Sequence, residues 1–352
     1  MIYLDYAATA PILPDVMEAM YDAEKRFFAN ASALHTPGHL ALNKIEEARA
    51  RLANLIGANP DEIIFTSGAS ESNNTVIRTF KDHKIETSPL EHHSIIEPAK
   101  LFAGDKSPKL YSYMLANNET GEYLNLPKVE EGNFLHSDLT QVLGKISINV
   151  DDLGIDYATF SAHKIGGPIG VGALYVRRGA PLSPLIIGGN QEKKLRGGTY
   201  NTVGIIGFSV ALEKIIEEDS IAKYDTKVRK LRDTLAGRIL KEIPGSSLNT
   251  NIAKEKSLPN ILNASFKAAE GESIQLYLDA EGIIVSTGSA CAAGDIKPSH
   301  VLMAKTGDAE VAHSSIRFSF SPKNTMADVE KVMEILPRII NRLQKISTIE
   351  ME

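Results

Sequence analysis

Short apolar segments alternate with helical patterns over the first two hundred residues of the chain. Apolar side chains at helical spacing predict helices over 14–28 and 38–57. Residues 62–80 then combine a short apolar strand, a turn of small residues and a helix. Further strands are predicted within 109–118, 133–141, 155–164 and 170–178. Alternating strands and helices favour an α/β fold, in which helices flank a mostly parallel central sheet.

The pattern changes near residue 219, where strands and helices stop alternating regularly. A charged amphipathic helix is predicted over 222–243 and a final helix over 325–345. The strand candidates between these helices are 260–266, 282–288 and 315–320. This arrangement indicates a smaller α+β domain. We therefore predict a large domain formed by residues 13–218 and a small domain formed by residues 1–12 and 219–352.

Composition excludes several classes of protein. A chain of 352 residues is typical of two domains. Its net charge of −6 argues against a nucleic-acid partner, because phosphate binding needs a basic surface. A single cysteine, Cys291, excludes an internal disulfide and an all-thiolate zinc site. The N-terminus lacks the pattern of a signal peptide, and no apolar run is long enough to span a membrane, so we expect a cytoplasmic protein.

The turn "TSGASES" (66–72) follows a predicted strand and opens a predicted helix. Small residues let backbone N–H groups approach an anion, and the helix dipole favours negative charge at that point. Ser70 adds a hydroxyl group. An ordinary strand-to-helix turn would have the same pattern, so the motif alone leaves both interpretations open.

Two charged residues lie at the ends of other predicted strands. Lys164 lies in "SAHKIGGPIG" and Asp138 in "HSDLTQ". Open α/β sheets bind ligands at the carboxyl ends of their strands, and a lysine amine can form a Schiff base with an aldehyde. Pyridoxal 5'-phosphate needs such a lysine, an acid for its ring nitrogen and a cradle for its phosphate. Lys164, Asp138 and the Ser70 turn meet these needs, although a surface lysine and a helix-capping aspartate remain the alternatives.

Histidines supply a further candidate group. His92, in "EHHSI", could stack on a flat ring or transfer a proton, or it could be a structural histidine at a helix start. A metal site is a rival interpretation. Its ligands would be His92, His93, His136, Asp138 and His163. These residues lack the tight paired spacing that helical metal sites show, and we predict no metal.

With these residues in view, the chain resembles the NifS/IscS-like cysteine desulfurases, class V aminotransferase relatives with the fold of the type I pyridoxal-phosphate enzymes. The resemblance spans nearly the whole chain in the family's order. The matching stretches are "YLDYAATAP" (3–11), "FTSGASESNN" (65–74), "EHHSI" (91–95), "NNETG" (117–121), "HSDLTQVLGK" (136–145), "SAHKIGGPIGVGALYVR" (161–177), "GGNQEKKLRGGTYN" (188–201), "STGSACAAG" (286–294) and "AHSSIRFSF" (312–320).

The resemblance implies a role for each matching residue. Lys164 forms the Schiff base with the cofactor and moves the α-proton, and Cys291 is the nucleophile. His92 stacks on the ring and acts as acid and base. The other cofactor contacts it implies are Asp138 at the ring nitrogen, Gln141 at the ring hydroxyl, Asn118, and Ala69, Ser70, Ser161 and His163 at the phosphate. Asn118 and Arg317 orient the substrate carboxylate. Thr199 reaches the phosphate in the partner subunit, which implies a homodimer.

The implied reaction removes sulfur from L-cysteine and leaves L-alanine. The sulfur becomes a persulfide on Cys291 and passes to an acceptor protein for iron–sulfur cluster assembly or tRNA thiolation. A selenocysteine lyase, another class V relative and a non-catalytic scaffold are the alternatives. The chain departs from the family by short segments at 94–116, with room for one helix and one strand, and at 122–137, where a helix is lost or trimmed.

Overall fold

The computed structural model describes residues 1–217, 220–287 and 298–347. The chain divides into two compact units. The large unit comprises Thr9–Leu115 and Leu124–Ile221, and the small unit comprises Met1–Ala8, Ala116–Tyr123 and Ala222–Glu352. The sequence placed the whole of 13–218 in one domain, whereas the structure groups residues 116–123 with the small unit.

The large unit contains five helices and six strands among the described residues. Strand β1 (Ile2–Tyr3) precedes it in the chain and belongs to the small unit. The elements of the large unit are α1 (Pro14–Arg26), α2 (Thr36–Ile56), β2 (Ile63–Thr66), α3 (Ala69–Thr79), β3 (His83–Thr87), α4 (His93–Phe102), β4 (Lys106–Ser112), β5 (Phe134–Asp138), β6 (Tyr157–Ser161), β7 (Gly172–Val176) and α5 (Thr202–Ile216).

These six strands form one sheet in the order β2-β7-β6-β5-β4-β3. Strands β3 to β6 are parallel to their neighbours, and β7 is antiparallel to both β6 and β2. Because β7 is the only reversed strand of this sheet, β2 runs in the same direction as β6. The carboxyl ends of β2, β5 and β6 therefore lie at one edge of the sheet. The predicted α/β fold with a mostly parallel sheet is confirmed.

The sheet is central because helices bury its strands. All five residues of both β6 and β7 are buried. Tyr157 and Leu174 from these strands pack in one apolar cluster with Val76 of α3 and Ile95 of α4. The ring of Phe80, after α3, meets the Tyr157 ring edge-on at a centroid distance of 5.9 Å. This packing fixes the starts of α3 and α4 relative to the strand ends.

The predicted elements of the large unit are present, with three differences. Helix α5 (Thr202–Ile216) was not predicted. The strand expected within 109–118 begins earlier and ends at Ser112. Strand β3 was not predicted, because "HKIET" carries one apolar residue and none of its residues is fully buried. The short segment 94–116 contains the rest of α4 and strand β4, as expected for one helix and one strand. No helix is present in residues 122–133, all of which the structure describes.

The small unit is an α+β arrangement in which helices pack on a three-stranded antiparallel sheet, β11-β9-β8. Its other elements include the parallel pair β1–β10. The bounds are α6 (Ser220–Glu242), β8 (Ser246–Leu248), β9 (Ile261–Phe266), α7 (Gly271–Ala280), β10 (Ile283–Ile284), α8 (His300–Thr306), α9 (Ala309–His313), β11 (Ser315–Ser319) and α10 (Met326–Ile346).

The strand predicted at 282–288 is shorter than expected. It pairs only at Ile283 and Ile284, and Ser286 then forms an isolated bridge to Arg317. Residues 288–297, which include Cys291, lie outside the described residues. Among the helices that the structure describes, none combines the length and the apolar character needed to cross a membrane.

Candidate active site

Asp138 is the last residue of β5, and its side chain is held from two sides. Its Oδ1 accepts a hydrogen bond from the Thr140 backbone N–H at 2.9 Å. Its Oδ2 accepts one from Asn73 Nδ2 at 2.8 Å. Only 8% of the residue is exposed. Asp138 therefore does act as a cap of its own turn, but one carboxylate oxygen is also fixed by a residue from another element.

Lys164 lies in a short 3-10 turn, Ala162–Ile165, which directly follows β6. Ser161, the last residue of that strand, is buried. The neighbouring His163 is half-buried, and its Nδ1 lies 3.1 Å from Thr9 Oγ1. Burial, with a further effect of the Lys164 charge, lowers the pKa of His163 to about 4. His163 is therefore a neutral side chain near pH 7.

The turn before α3 depends on glycine at two positions. Gly68 has a backbone φ of +150°, which residues with a side chain rarely adopt. A Cβ on Gly172 of the neighbouring strand would lie 2.6 Å from Gly68 Cα, so a larger residue would displace the turn. No side chain caps α3, which begins at Ala69. The described turn thus presents the first backbone N–H groups of an 11-residue helix without a competing acceptor from a capping residue.

Sheet register brings this turn next to the end of β6. Gly172 of β7 is the pairing partner of both Ser161 and Thr66. A Cβ built on Gly68 would lie 3.8 Å from Ser161 Oγ, which confirms that the two groups are neighbours. The exposed Ser70 and half-buried Ala69 open the helix at this point. One sheet edge thus joins the uncapped start of α3 to the strand end that precedes Lys164.

His92 caps the start of α4 with its own ring. Its Nδ1 accepts from the Ser94 backbone N–H at 3.1 Å and lies 2.8 Å from Ser94 Oγ. The residue is exposed. The structural alternative considered for this histidine, a helix cap, therefore exists, and it leaves the ring accessible to a ligand.

Gln141 and Thr199 complete the large-unit candidates. Gln141 is buried, and Lys145 Nζ donates to its backbone oxygen at 2.8 Å and to its Oε1 at 3.3 Å. Thr199 is exposed on the loop that follows Glu192. A buried ion pair anchors this loop, because Arg49 Nη1 and Nη2 donate to Glu192 Oε2 and Oε1 at 2.7 and 2.9 Å.

The residues of the rival metal site are not arranged as ligands. His136 is completely buried, with Ser112 Oγ 2.8 Å from its Nδ1 and Thr159 Oγ1 3.0 Å from its Nε2. Burial lowers the pKa of this imidazole, so it is neutral. Within residues 1–217, 220–287 and 298–347, no group of three or more His, Cys, Asp or Glu side chains could hold a metal ion.

In the small unit, Arg317 of β11 is buried and already engaged. Its Nη1 donates to the Asn118 backbone oxygen at 2.9 Å, and its Nη2 donates to Asp5 Oδ1 at 2.8 Å. Its Nε is buried and has no hydrogen-bond partner among the described residues. The Nε donor therefore remains for a further acceptor.

Glu119 is a second buried charged group of the small unit. Ser299 Oγ, at the start of α8, donates to Glu119 Oε2. Burial raises the pKa of Glu119 to about 7, against the opposing effects of this hydrogen bond and of the Arg317 charge. Sequence reasoning did not single out Glu119, Asp5 or Asn73. Each lies inside a stretch that resembles the cysteine desulfurases, 117–121, 3–11 and 65–74 respectively. No other feature of the sequence marked these residues.

The comparisons with known proteins agree with this geometry. The aminotransferase class-V family model matches residues 2–107 and 104–332. The chain belongs to this family. The cysteine desulfurase IscS of Dictyoglomus turgidum is 41% identical over 387 aligned residues, which cover 100% of this chain and 97% of that relative. Because this alignment is longer than the chain, this chain lacks residues that the relative has.

Solved structures show the same relationship. A NifS-like protein matches with a TM-score of 0.87 and 32% identity, covering 97% of this chain and 99% of that one. A structure described as SspA in complex with cysteine matches with a TM-score of 0.77 and 31% identity, covering 92% of this chain and 100% of that one. The resemblance to cysteine desulfurases inferred from the sequence motifs is confirmed.

Class V aminotransferase membership implies pyridoxal phosphate as the cofactor, and the described residues fit that molecule. The uncapped start of α3 suits a phosphate anion. The buried carboxylate of Asp138 suits a protonated ring nitrogen. Three buried polar atoms in α3 and around the end of β5 lack hydrogen-bond partners within the described chain, and these are Asn73 Oδ1, Ser137 Oγ and Thr140 Oγ1. Unsatisfied buried polar atoms are uncommon unless a ligand or water completes them.

Proposed function

We propose that this chain is a pyridoxal-phosphate-dependent cysteine desulfurase, which converts L-cysteine to L-alanine and retains the sulfur as a persulfide on Cys291. The observation that carries the proposal is the shared sheet edge. Ser161 and Thr66 pair with the same glycine, Gly172, while Asp138 ends the adjacent strand β5. This register supports a site that holds an anion at one end and a cationic ring nitrogen at the other.

The large-unit residues would hold the cofactor. Backbone N–H groups at Ala69 and Ser70, with the side chains of Ser70, Ser161 and His163, would bind its phosphate. His163 is suited to this as a neutral donor, because burial lowers its pKa to about 4.

The ring would lie between His92 on its face and two groups at its edge. Asp138 would keep a proton on the ring nitrogen, and Gln141 would contact the ring hydroxyl. Bound there, pyridoxal phosphate supplies an electron sink that makes the α-proton of an attached amino acid acidic. Lys164 Nζ would bond the cofactor and then move that proton.

The small-unit residues would orient the substrate. Arg317 presents a buried Nε that has no partner in the described chain, and a guanidinium suits a carboxylate geometrically. Asn118 lies beside it and would complete the contact. Cys291, as a thiolate, would attack the substrate sulfur, so that an S–S bond forms while the substrate's Cβ–S bond breaks and Cβ gains a proton to give alanine. Cys291 lies outside the described residues. Exposed Thr199 would serve the second active site of a homodimer. The persulfide would pass to a cytoplasmic acceptor for iron–sulfur cluster assembly or tRNA thiolation.

The test is to add L-cysteine to the cofactor-loaded protein and to measure alanine and protein-bound persulfide. The wild-type chain is expected to form both. Lys164→Ala should form neither. Cys291→Ser should bind pyridoxal phosphate normally and form no persulfide, since a serine hydroxyl stays protonated near neutral pH. Normal alanine formation by Cys291→Ser would mean that Cys291 is not the sulfur acceptor, and turnover of selenocysteine alone would reassign the substrate.

A further inference from the structure

Asn73, in the middle of α3, is completely buried and joins two elements of the site. Its Nδ2 donates to Asp138 Oδ2 at 2.8 Å and also to Ser94 Oγ at 2.8 Å. An amide nitrogen carries two hydrogens, so both bonds form at once. One side chain therefore bridges the end of β5 and the first turn of α4.

Asp138 fixes the orientation of this amide. In the flipped orientation Asn73 Oδ1 would face a carboxylate oxygen at hydrogen-bond distance, where two acceptors repel each other. In the observed orientation Oδ1 is buried without a hydrogen-bond partner in the described chain. That arrangement costs free energy, and an apolar side chain of similar size would avoid the cost. The hydrogen bonds that Asn73 donates to Asp138 and Ser94 offset this cost.

The bridge continues to His92. Ser94 Oγ lies 2.8 Å from His92 Nδ1, and the Ser94 backbone N–H donates to the same nitrogen at 3.1 Å. A continuous series of hydrogen bonds therefore runs from Asp138 through Asn73 and Ser94 to His92. All four residues belong to the large unit.

We infer that Asn73 is a positioning residue of the cofactor site. It sets the separation between the carboxylate that pairs with the ring nitrogen and the imidazole that lies against the ring face. This inference rests on the proposed function, in which Asp138 and His92 contact one ring. Asn73 acts through these two side chains.

The first experiment compares apoproteins by titration with pyridoxal phosphate. Asn73→Ala removes both donated bonds, and we expect binding to weaken roughly tenfold, as is typical when a hydrogen bond to a charged group is lost. The visible absorption band of the bound cofactor should also shift, because the carboxylate at the ring nitrogen is no longer held in place. Wild-type affinity together with a wild-type spectrum would overturn the inference.

Asn249→Ala is the matched control. Asn249 is a buried asparagine of the small unit, and its Nδ2 likewise bridges two acceptors, Asn263 Oδ1 at 2.8 Å and Ser265 Oγ at 2.7 Å. This variant should lose stability to a similar extent and keep the wild-type affinity for pyridoxal phosphate. A comparable loss of affinity in both variants would indicate a purely structural effect and overturn the inference.

A double-mutant cycle tests the bridge itself. Ser94 is only half-buried, so Ser94→Ala is expected to fold even if Asn73→Ala does not. Ser94→Ala should weaken cofactor binding in the wild-type background and have a much smaller effect in the Asn73→Ala background, because the two residues act through one hydrogen-bond series. Additive effects, or a Ser94→Ala variant with wild-type affinity, would overturn the positioning role.

The outcomes also separate this inference from the proposed function. A wild-type protein that does not bind pyridoxal phosphate contradicts both. A wild-type protein that binds the cofactor and forms alanine from cysteine, together with unchanged Asn73→Ala and Ser94→Ala variants, contradicts only the role of Asn73.

Discussion

Asp138 in the large unit and Arg317 in the small unit are both buried charged groups, yet the two are held by different kinds of partner. Asp138 accepts hydrogen bonds from neutral donors, the Asn73 amide and the Thr140 backbone N–H. Arg317 donates to the carboxylate of Asp5 and to a backbone oxygen. Neutral donors hold a carboxylate in place without cancelling its charge, whereas Asp5 neutralises the guanidinium it holds.

This difference suits the two proposed tasks. A carboxylate that keeps its charge can stabilise a cationic ring nitrogen, and that attraction is strong where the local dielectric is low. Arg317 would have to bind and release a small carboxylate, and it can do so with Asp5 as a permanent counter-ion. Its Nε, which has no hydrogen-bond partner in the described chain, would still orient the bound carboxylate. Burial alone therefore does not define a charged site residue, because the charge of its hydrogen-bond partners sets the electrostatic field that it offers a ligand.

Removal of the Asp138 carboxylate in the large unit should have the greatest effect of all these substitutions, and the effect is on turnover. Asp138→Ala should lower turnover of L-cysteine by about 100-fold or more, because the ring nitrogen loses the group that keeps it protonated. The measurements are kcat and the affinity for pyridoxal phosphate.

Asp156→Ala is the matched control for that variant. Asp156 also accepts a backbone N–H, from Leu135 at 2.9 Å, but it precedes β6 at the opposite edge of the sheet. This control should lose stability and keep wild-type turnover. Unchanged turnover in Asp138→Ala would reduce Asp138 to a cap of its own turn.

Removing the small-unit counter-ion should act on stability. Asp5→Asn keeps the side-chain size but leaves the buried guanidinium of Arg317 without its carboxylate. Breaking one side of a buried ion pair typically costs several kcal/mol, and we expect a loss of about 3 kcal/mol in the free energy of unfolding. Urea denaturation of the apoprotein measures it. Glu334→Gln removes exposed ion pairs with Lys331 and Arg338 and should leave the denaturation midpoint unchanged. A wild-type midpoint for Asp5→Asn would show that the buried pair contributes no more than these exposed ones.

The small unit should also lose stability as the pH rises. Burial raises the pKa of Glu119 from 4.5 to about 7, so the folded chain holds a proton that the unfolded chain releases between these values. Stability present at pH 5 is therefore lost towards pH 8, by about 2 to 3 kcal/mol for this group. Glu119→Gln should remove that dependence, and the measurement is the unfolding free energy at both pH values. A pH dependence identical to that of the wild type would contradict the raised pKa.

His163 in the large unit should contribute a smaller effect of opposite sign. Burial lowers the pKa of His163 from 6.5 to about 4, so the unfolded chain takes up a proton in this range and the folded chain does not. Stability is complete above pH 6.5 and falls as the pH falls towards 4. Because His163 is only half-buried, we expect a loss of about 1 kcal/mol between pH 7.5 and pH 5. Comparing His163→Asn with wild-type apoprotein at both values tests it, and a greater loss in the variant would show the sign to be wrong.

Local patterns in the sequence were sufficient for most elements and for the positions of several candidate residues. The strand, turn and helix around Ser70, and the strand that ends at Asp138, were predicted from residues next to each other in the chain. Lys164 was expected at the end of a strand and lies in the turn that follows it. Strand β3 escaped prediction because an edge strand with partly exposed residues lacks the apolar run that identifies its buried neighbours. The grouping of residues 116–123 with the small unit also had no local signal.

The α/β class, the two-part organisation of the chain and a set of motifs compatible with pyridoxal phosphate could all be inferred from the order of the residues. The contacts between distant side chains depend on the three-dimensional fold. The Asn73–Asp138 bond joins residues 65 positions apart, and the Asp5–Arg317 pair joins residues 312 apart. Such contacts follow from strand order, from the reversal of β7 and from sheet register. These depend on how whole elements pack together, and no periodicity within a single segment encodes them.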